Sequence, residues 1–211
     1  MLPPDSGLPQ CLRKPIPEIT EAAQILQQAV DAHLTGRAYD AARLIASTNT
    51  DTIRDWVESL WGKNSRYVVV RVLSNAPPTM GRDKREPVRM PTAAQQAQLV
   101  AEQGRHCRSC GVPLIRIEVR ERLHALYPKA LAWGRKNTEQ HAAFQAMWLQ
   151  YDHVLPHARG GTNEPSNLVI TCAPCNYGRM NYTLAEVGLS DPRESPRVQS
   201  DWDGLERVLN G

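Results

Sequence analysis

The sequence predicts an α+β chain in which a mainly helical N-terminal region precedes a mixed unit of helices and short strands. Three observations carry that expectation. Apolar residues recur at helical spacing from Glu18 to about Gly62. Two short apolar runs, Tyr151–Leu155 and Leu168–Thr171, flank a loop containing Gly160-Gly161. Two Cys-x-x-Cys pairs, Cys107/Cys110 and Cys172/Cys175, stand on either side of those runs.

Residues 1–18 contain five prolines and few periodic hydrophobics, so a loose tail is expected. Ile25, Leu26, Val30 and Leu34 then fall near one helical face, and Gly36 suits a helix end. Ala41–Ala46 predicts a second helix. Thr52–Trp61 predicts a third, with Ile53, Trp56, Val57, Leu60 and Trp61 at core spacing. Tyr67–Leu73 is β-branched and predicts a strand. Asn75–Gly81 breaks the chain, and the charged, Pro-bounded stretch 81–91 reads as a linker between domains 1–80 and 92–189.

Thr92 is a suitable cap for a helix reaching Gly104. A strand is expected over Val112–Val119. Helical sequence follows from Arg120 to Trp148, interrupted at Tyr127-Pro128 and near Gly134. The two apolar runs predict short strands, and a helix is expected from beyond Cys172 to about Met180. From Ser190 the Pro- and Asp-containing end, 190–211, predicts a loosely packed tail.

At 211 residues, 41% of them hydrophobic, the chain has enough apolar sequence for a real core. With one Phe, six Tyr and five Trp, that core must rest mainly on Leu, Val, Ile and Ala. No signal peptide is visible, and no apolar run approaches the roughly 18 residues of a membrane span. A soluble, cytoplasmic protein is expected, with no membrane partner. Net charge is +3, but the distribution is uneven. Arg82 to Lys136 holds twelve Lys/Arg against five Asp/Glu. Such a basic middle suits a polyanion such as DNA, though a solvated helical face would show the same bias.

In a reducing compartment, paired cysteines favour metal binding over disulfides. Each Cys-x-x-Cys brings two sulfurs to one ion, and two pairs complete a tetrahedral four-sulfur shell suited to structural zinc. The separation of Cys110 from Cys172 far exceeds the roughly 15–20 residues of a compact zinc ribbon. A redox dithiol is the main rival reading of either pair. Cys11 stands alone in the Pro-rich tail and receives no role.

Asp152-His153, Gly160-Gly161, Asn167 and Cys172-x-x-Cys175-Asn176, framed by the upstream Cys-x-x-Cys, resemble the zinc-containing HNH endonucleases. The resemblance covers about residues 91–189 and implies a ββα-metal domain with a four-cysteine zinc site. It carries a helical insertion and follows the mainly helical N-terminal region. The resemblance implies His153 as general base, for which an imidazole titrating near neutrality is suited. It implies Asp152 and Asn176 as ligands of a hard divalent ion, Mg²⁺ or Mn²⁺. Asn167 would brace the loop so that His153 meets the water. His157, Arg159 and Arg179 would touch phosphate, and Arg82, Lys84 and Arg85 would add DNA contacts. Two features depart from the pattern. The motif ends in Asn176 rather than His, and the stretch between Cys110 and Asp152 is longer than in compact members.

The resemblance implies metal-dependent hydrolysis of DNA phosphodiesters in restriction, phage defence or mobile-element processing. Residues 1–80 would serve recognition or partner binding. A double-strand cut needs two active sites or sequential nicks, which leaves a homodimer open. Two other readings compete: a zinc-stabilised DNA-binding module without cleavage, and an interaction protein docking partners through its N-terminal helices.

Overall fold

The computed structural model describes residues 7–61 and 65–210. Helices α1 (Pro17–Leu34), α2 (Ala38–Ser47) and α3 (Asp51–Ser59) fill the N-terminal region. Pro17 at the start of α1 has a preset φ and lacks only an N–H that would go unpaired there. Ile19, Ala22, Ala23, Leu26, Ala29 and Val30 form the buried stripe of α1. The Thr50 side chain caps α3 by accepting from the Ile53 N–H. Trp56 is fully buried in α3, and its indole N–H donates to the Lys14 carbonyl at 2.9 Å. The helix end expected near Gly62 lies outside the described residues.

Residues 7–16, the described part of the stretch before α1, are docked, not loose; the rest of the expected tail lies outside the described residues. Arg13 donates to Ser59 Oγ at 2.6 Å, Ser190 N–H donates to Pro9 O at 3.0 Å, and Leu12 and Ile16 pack on the core. The strand expected at Tyr67–Leu73 does not form. Arg71 N–H donates to Glu186 O, but no neighbouring strand continues a ladder among the described residues, and Val72 is 99% exposed. A β-branched run needs a pleated neighbour to pack on, and here there is none.

A short 3-10 turn at Arg82–Lys84 leads to α4 (Ala93–Gln103), which opens on a reciprocal capping box between Thr92 and Gln95. The strand expected over Val112–Val119 is also absent. Isolated bridges join His106 to Pro113 and Ile115 to Trp148, and from Ile117 the chain is helical. This is α5 (Ile117–Leu126), which buries Val119, Arg120 and Leu123 at helical spacing. The helix stops at Tyr127, whose position before Pro128 disfavours the helical conformation.

Helix α6 (Ala142–Ala146) is short and entirely buried. Strands β1 (Leu149–His153) and β2 (Leu168–Cys172) pair antiparallel, with Asp152 opposite Val169 and His153 opposite Leu168. Helix α7 (Ala173–Arg179) follows β2 directly, and α8 (Leu184–Val187) comes after it.

One apolar core runs through all of this. It joins Ile19, Leu26 and Trp56 to Leu123, Phe144 and Ile170, and to Leu205 and Val208 near the C-terminus. Asn49 Oδ1 accepts from the Ala142 N–H at 2.8 Å, so the N-terminal region caps α6. Trp202 donates to Leu114 O at 2.9 Å, and Arg207 reaches Gln27 O and Asp31 on α1. The boundary expected at 81–91 therefore does not separate two cores, and the end beyond Ser190 is not a loose tail. No helix among the described residues is long and apolar enough to cross a membrane.

Candidate active site and metal centre

The Cys107–Cys110 turn and the β2–α7 junction bring four thiols together. Cys107 N–H donates to Val112 O at 2.9 Å and Gly111 N–H to Cys107 O at 2.8 Å, closing the turn. Arg108 N–H donates to Ile170 O at 3.0 Å and ties that turn to β2. Cys172 ends β2, and Cys175 lies in the first turn of α7. The four Sγ atoms of Cys107, Cys110, Cys172 and Cys175 lie within 4.8 Å of one another. Cys110 and Cys172 are 3.6 Å apart, near the roughly 3.8 Å edge of a tetrahedron of about 2.3 Å Zn–S bonds. The other three thiols hydrogen-bond toward Cys107 and, against the effect of burial, hold it well below the ordinary thiol range. Cys110 and Cys175 are pushed well above it by the same crowding. This donor set could hold a metal ion, and four sulfurs suit zinc. Cys11 is outside the cluster, its thiol pushed up to about 12 by burial.

A cleft of about 350 Å³ is lined by Asp152 and His153 of β1, by His157 and Asn176, and by Arg85 and Arg89 from the segment 81–91. The loop between β1 and β2 forms part of its wall. Asn167 closes that loop: its Oδ1 accepts from Leu155 N–H at 2.8 Å and its Nδ2 donates to Thr162 O at 2.9 Å. A Cβ at Gly161 would stand 1.8 Å from Leu155 O, so only glycine admits this close approach. Gly160 before it takes φ +91°, the left-handed region.

His153 is buried, and its Nε2 lies 2.9 Å from Asn163 Oδ1. Asn163 Nδ2 donates to Val88 O at 2.7 Å, which fixes the amide with its oxygen toward the ring. His153 Nε2 therefore carries a proton, and the neutral ring keeps its lone pair on Nδ1. Burial lowers the His153 pKa, so the neutral form dominates near pH 7. His157 Nε2 similarly donates to Glu86 O at 3.0 Å.

Asp152 is largely buried and ion-paired with Arg179 at 2.7 Å. Burial pushes its carboxyl above the usual range, and Arg179 opposes that shift. The Asn176 side chain takes no hydrogen-bond partner among the described residues, which leaves its amide oxygen available in the cleft.

Two expected phosphate contacts are put to other use. Arg179 is 4% exposed and donates to Asp152, His153 O, Val154 O and Tyr182 O. Arg159 pairs with Glu186 at 3.1 Å and donates to Pro77 O and Asn181 O. Neither guanidinium lines the cleft, because buried carboxylates and carbonyls already occupy their donors. Arg82 and Lys84 lie exposed on the 3-10 turn, and Arg85 folds back onto Met80 O while still lining the cleft.

Residues 141–187 match the family model described as HNH endonuclease. The match supports an HNH family domain over this segment, which is less than half of the chain. That segment contains α6, β1, the loop, β2, α7 and α8, together with Cys172 and Cys175. No curated protein and no solved structure matches the chain. An HNH domain suggests nuclease activity on nucleic acid.

Asn163 and the segment 81–91 carry site geometry that the sequence did not reveal. Asn163 looks like any polar turn residue after Gly-Gly. Only the fold brings Glu86 and Val88 against it.

Proposed function

We propose that this protein is a metal-dependent endonuclease that hydrolyses DNA phosphodiesters, leaving 5′-phosphate and 3′-hydroxyl ends. The observation that carries this reading is the convergence of Asp152, His153 and Asn176 on one cleft beside a four-sulfur cluster. The Asp152 carboxylate and the Asn176 amide oxygen are hard donors that fit a divalent ion such as Mg²⁺ or Mn²⁺. Such an ion, when bound, would polarise the phosphate and stabilise the leaving oxygen. His153 Nδ1 accepts the proton of the attacking water. Asn163 keeps the ring in the tautomer that exposes Nδ1. Arg179 keeps Asp152 in place, and Asn167 keeps the loop closed.

Zinc on Cys107, Cys110, Cys172 and Cys175 would tie the cysteine turn to the β2–α7 junction and hold Asn176 opposite Asp152. Restriction, phage defence and mobile-element processing are settings such an activity would serve. Incubating the full chain with supercoiled plasmid, with and without Mg²⁺ or Mn²⁺, tests the reading. Divalent-dependent relaxation of the plasmid is expected. A protein that binds DNA yet leaves it intact with either ion would be a binding module instead.

A further inference from the structure

The segment 81–91 crosses the loop between β1 and β2 and is fastened to it. His157 Nε2 and Asn163 Nδ2 donate to the carbonyls of Glu86 and Val88, and the Glu86 carboxylate accepts from Asn163 N–H at 3.1 Å. One residue further on, Arg89 is exposed and lines the cleft with Asp152, His153 and Asn176. It enters no hydrogen bond or ion pair among the described residues. The neighbouring arginines differ: Arg179 and Arg159 are held by carboxylates, and Arg85 by Met80 O. Arg89 is thus a cation next to the fastened Val88 carbonyl and beside the candidate catalytic groups, with its guanidinium donors unused.

A guanidinium fork matches the paired oxygens of a phosphate diester. The cleft also suits a polymer. It shares Met90, Gln150 and Tyr151 with an adjoining groove of about 240 Å³ that continues past Arg116 and Ile117. A strand leaving the cleft in that direction passes the Arg89–Met90 backbone.

We propose that Arg89 binds a phosphate of the nucleic-acid strand lying in the cleft, so that a residue outside the family-matched segment completes the substrate site. The inference rests on the nuclease reading for its ligand. Arg116, already paired with Glu118 and Glu206, is a wall of the groove and not a second free cation.

The test is equilibrium binding of a short DNA duplex across a range of salt concentrations. His153→Ala serves as the parent, so that the probe is not cut. Arg89→Ala, Arg89→Lys and Arg43→Ala are each added to it; Arg43 is exposed on α2 and does not line the cleft. Arg89→Ala is expected to weaken binding roughly tenfold or more. It should also reduce the salt slope by about 0.9, the loss of one phosphate contact. Arg89→Lys should keep the slope and recover part of the affinity, and Arg43→Ala should change neither. Equal binding and zinc content in Arg89→Ala and Arg43→Ala would overturn the proposal and leave Arg89 a solvated surface charge. Plasmid cleavage by the wild type is followed separately. Its absence overturns the nuclease reading, whereas an unchanged affinity in Arg89→Ala overturns this inference alone.

Discussion

Arg179 holds Asp152 through a 2.7 Å ion pair in which the side chains are only 5% and 12% exposed. The same guanidinium also donates to the carbonyls of His153, Val154 and Tyr182. One α7 residue thereby fixes the end of β1 and the carboxylate of the candidate metal site. Removing one partner of a buried pair leaves the other charge uncompensated. Arg179→Ala should therefore lower unfolding stability by about 3–5 kcal/mol. Urea denaturation checks this, and a loss below about 1 kcal/mol, the range of a surface pair, would mean that the pair is not structural.

The four-cysteine centre should carry about one zinc per chain, bound by four sulfurs at roughly 2.3 Å. Cys172→Ala should lose the metal and with it the order of the β2–α7 junction, since metal binding and folding are coupled. Elemental analysis and X-ray absorption on the purified full chain measure this directly. A folded wild type without metal would contradict it.

Buried His141 gives a pH prediction. Its Nε2 donates to Ile45 O at 3.0 Å, its Nδ1 has no partner among the described residues, and burial pushes its pKa from 6.5 down to about 4. The unfolded ring binds a proton below pH 6.5, whereas the folded ring stays neutral until about 4. Its stabilising contribution is full above pH 6.5 and is lost as pH falls through that window, by up to about 1.4 kcal/mol per pH unit. Denaturation of wild type and His141→Gln across the window should show a shallower fall in the variant. Parallel curves would assign the acid sensitivity to other groups.

A fragment beginning at Met90 should not fold. It lacks α1 to α3, and with them Trp56, Ile45 and the Asn49 cap on Ala142. Loss of one buried large side chain costs about 3–5 kcal/mol, comparable to the whole stability of a small domain. Circular dichroism and zinc content of the fragment check this. A cooperative melting transition with bound zinc would restore an independent domain.

The sequence makes local features legible and leaves the long-range ones hidden. The Thr92 cap, the two strands around Gly160-Gly161 and the helix after Cys172 follow from turn chemistry and short-range pattern. The structure also brings Asp152, His153 and Asn176 to one cleft. The valines of Tyr67–Leu73 mislead because propensity is satisfied only by a neighbouring strand. Val112–Val119 misleads because its apolar run spans an irregular stretch and the first turn of α5. Arg159 and Arg179 look like free basic residues, and nothing local announces that Glu186 and Asp152 bind them. The strap over Asn163 and the burial of Trp202 and Leu205 depend on contacts between distant segments, which no local window contains.

The most direct test of the central claim is the rate of plasmid nicking by His153→Ala beside the wild type, with DNA affinity and zinc content measured on the same samples. The substitution removes the proposed base and leaves the sulfur cluster and the cleft cations in place. Zinc and affinity should be retained while nicking falls on the order of 10²–10⁴-fold, the usual effect of losing a general base. Nicking at the wild-type rate by His153→Ala would contradict the account.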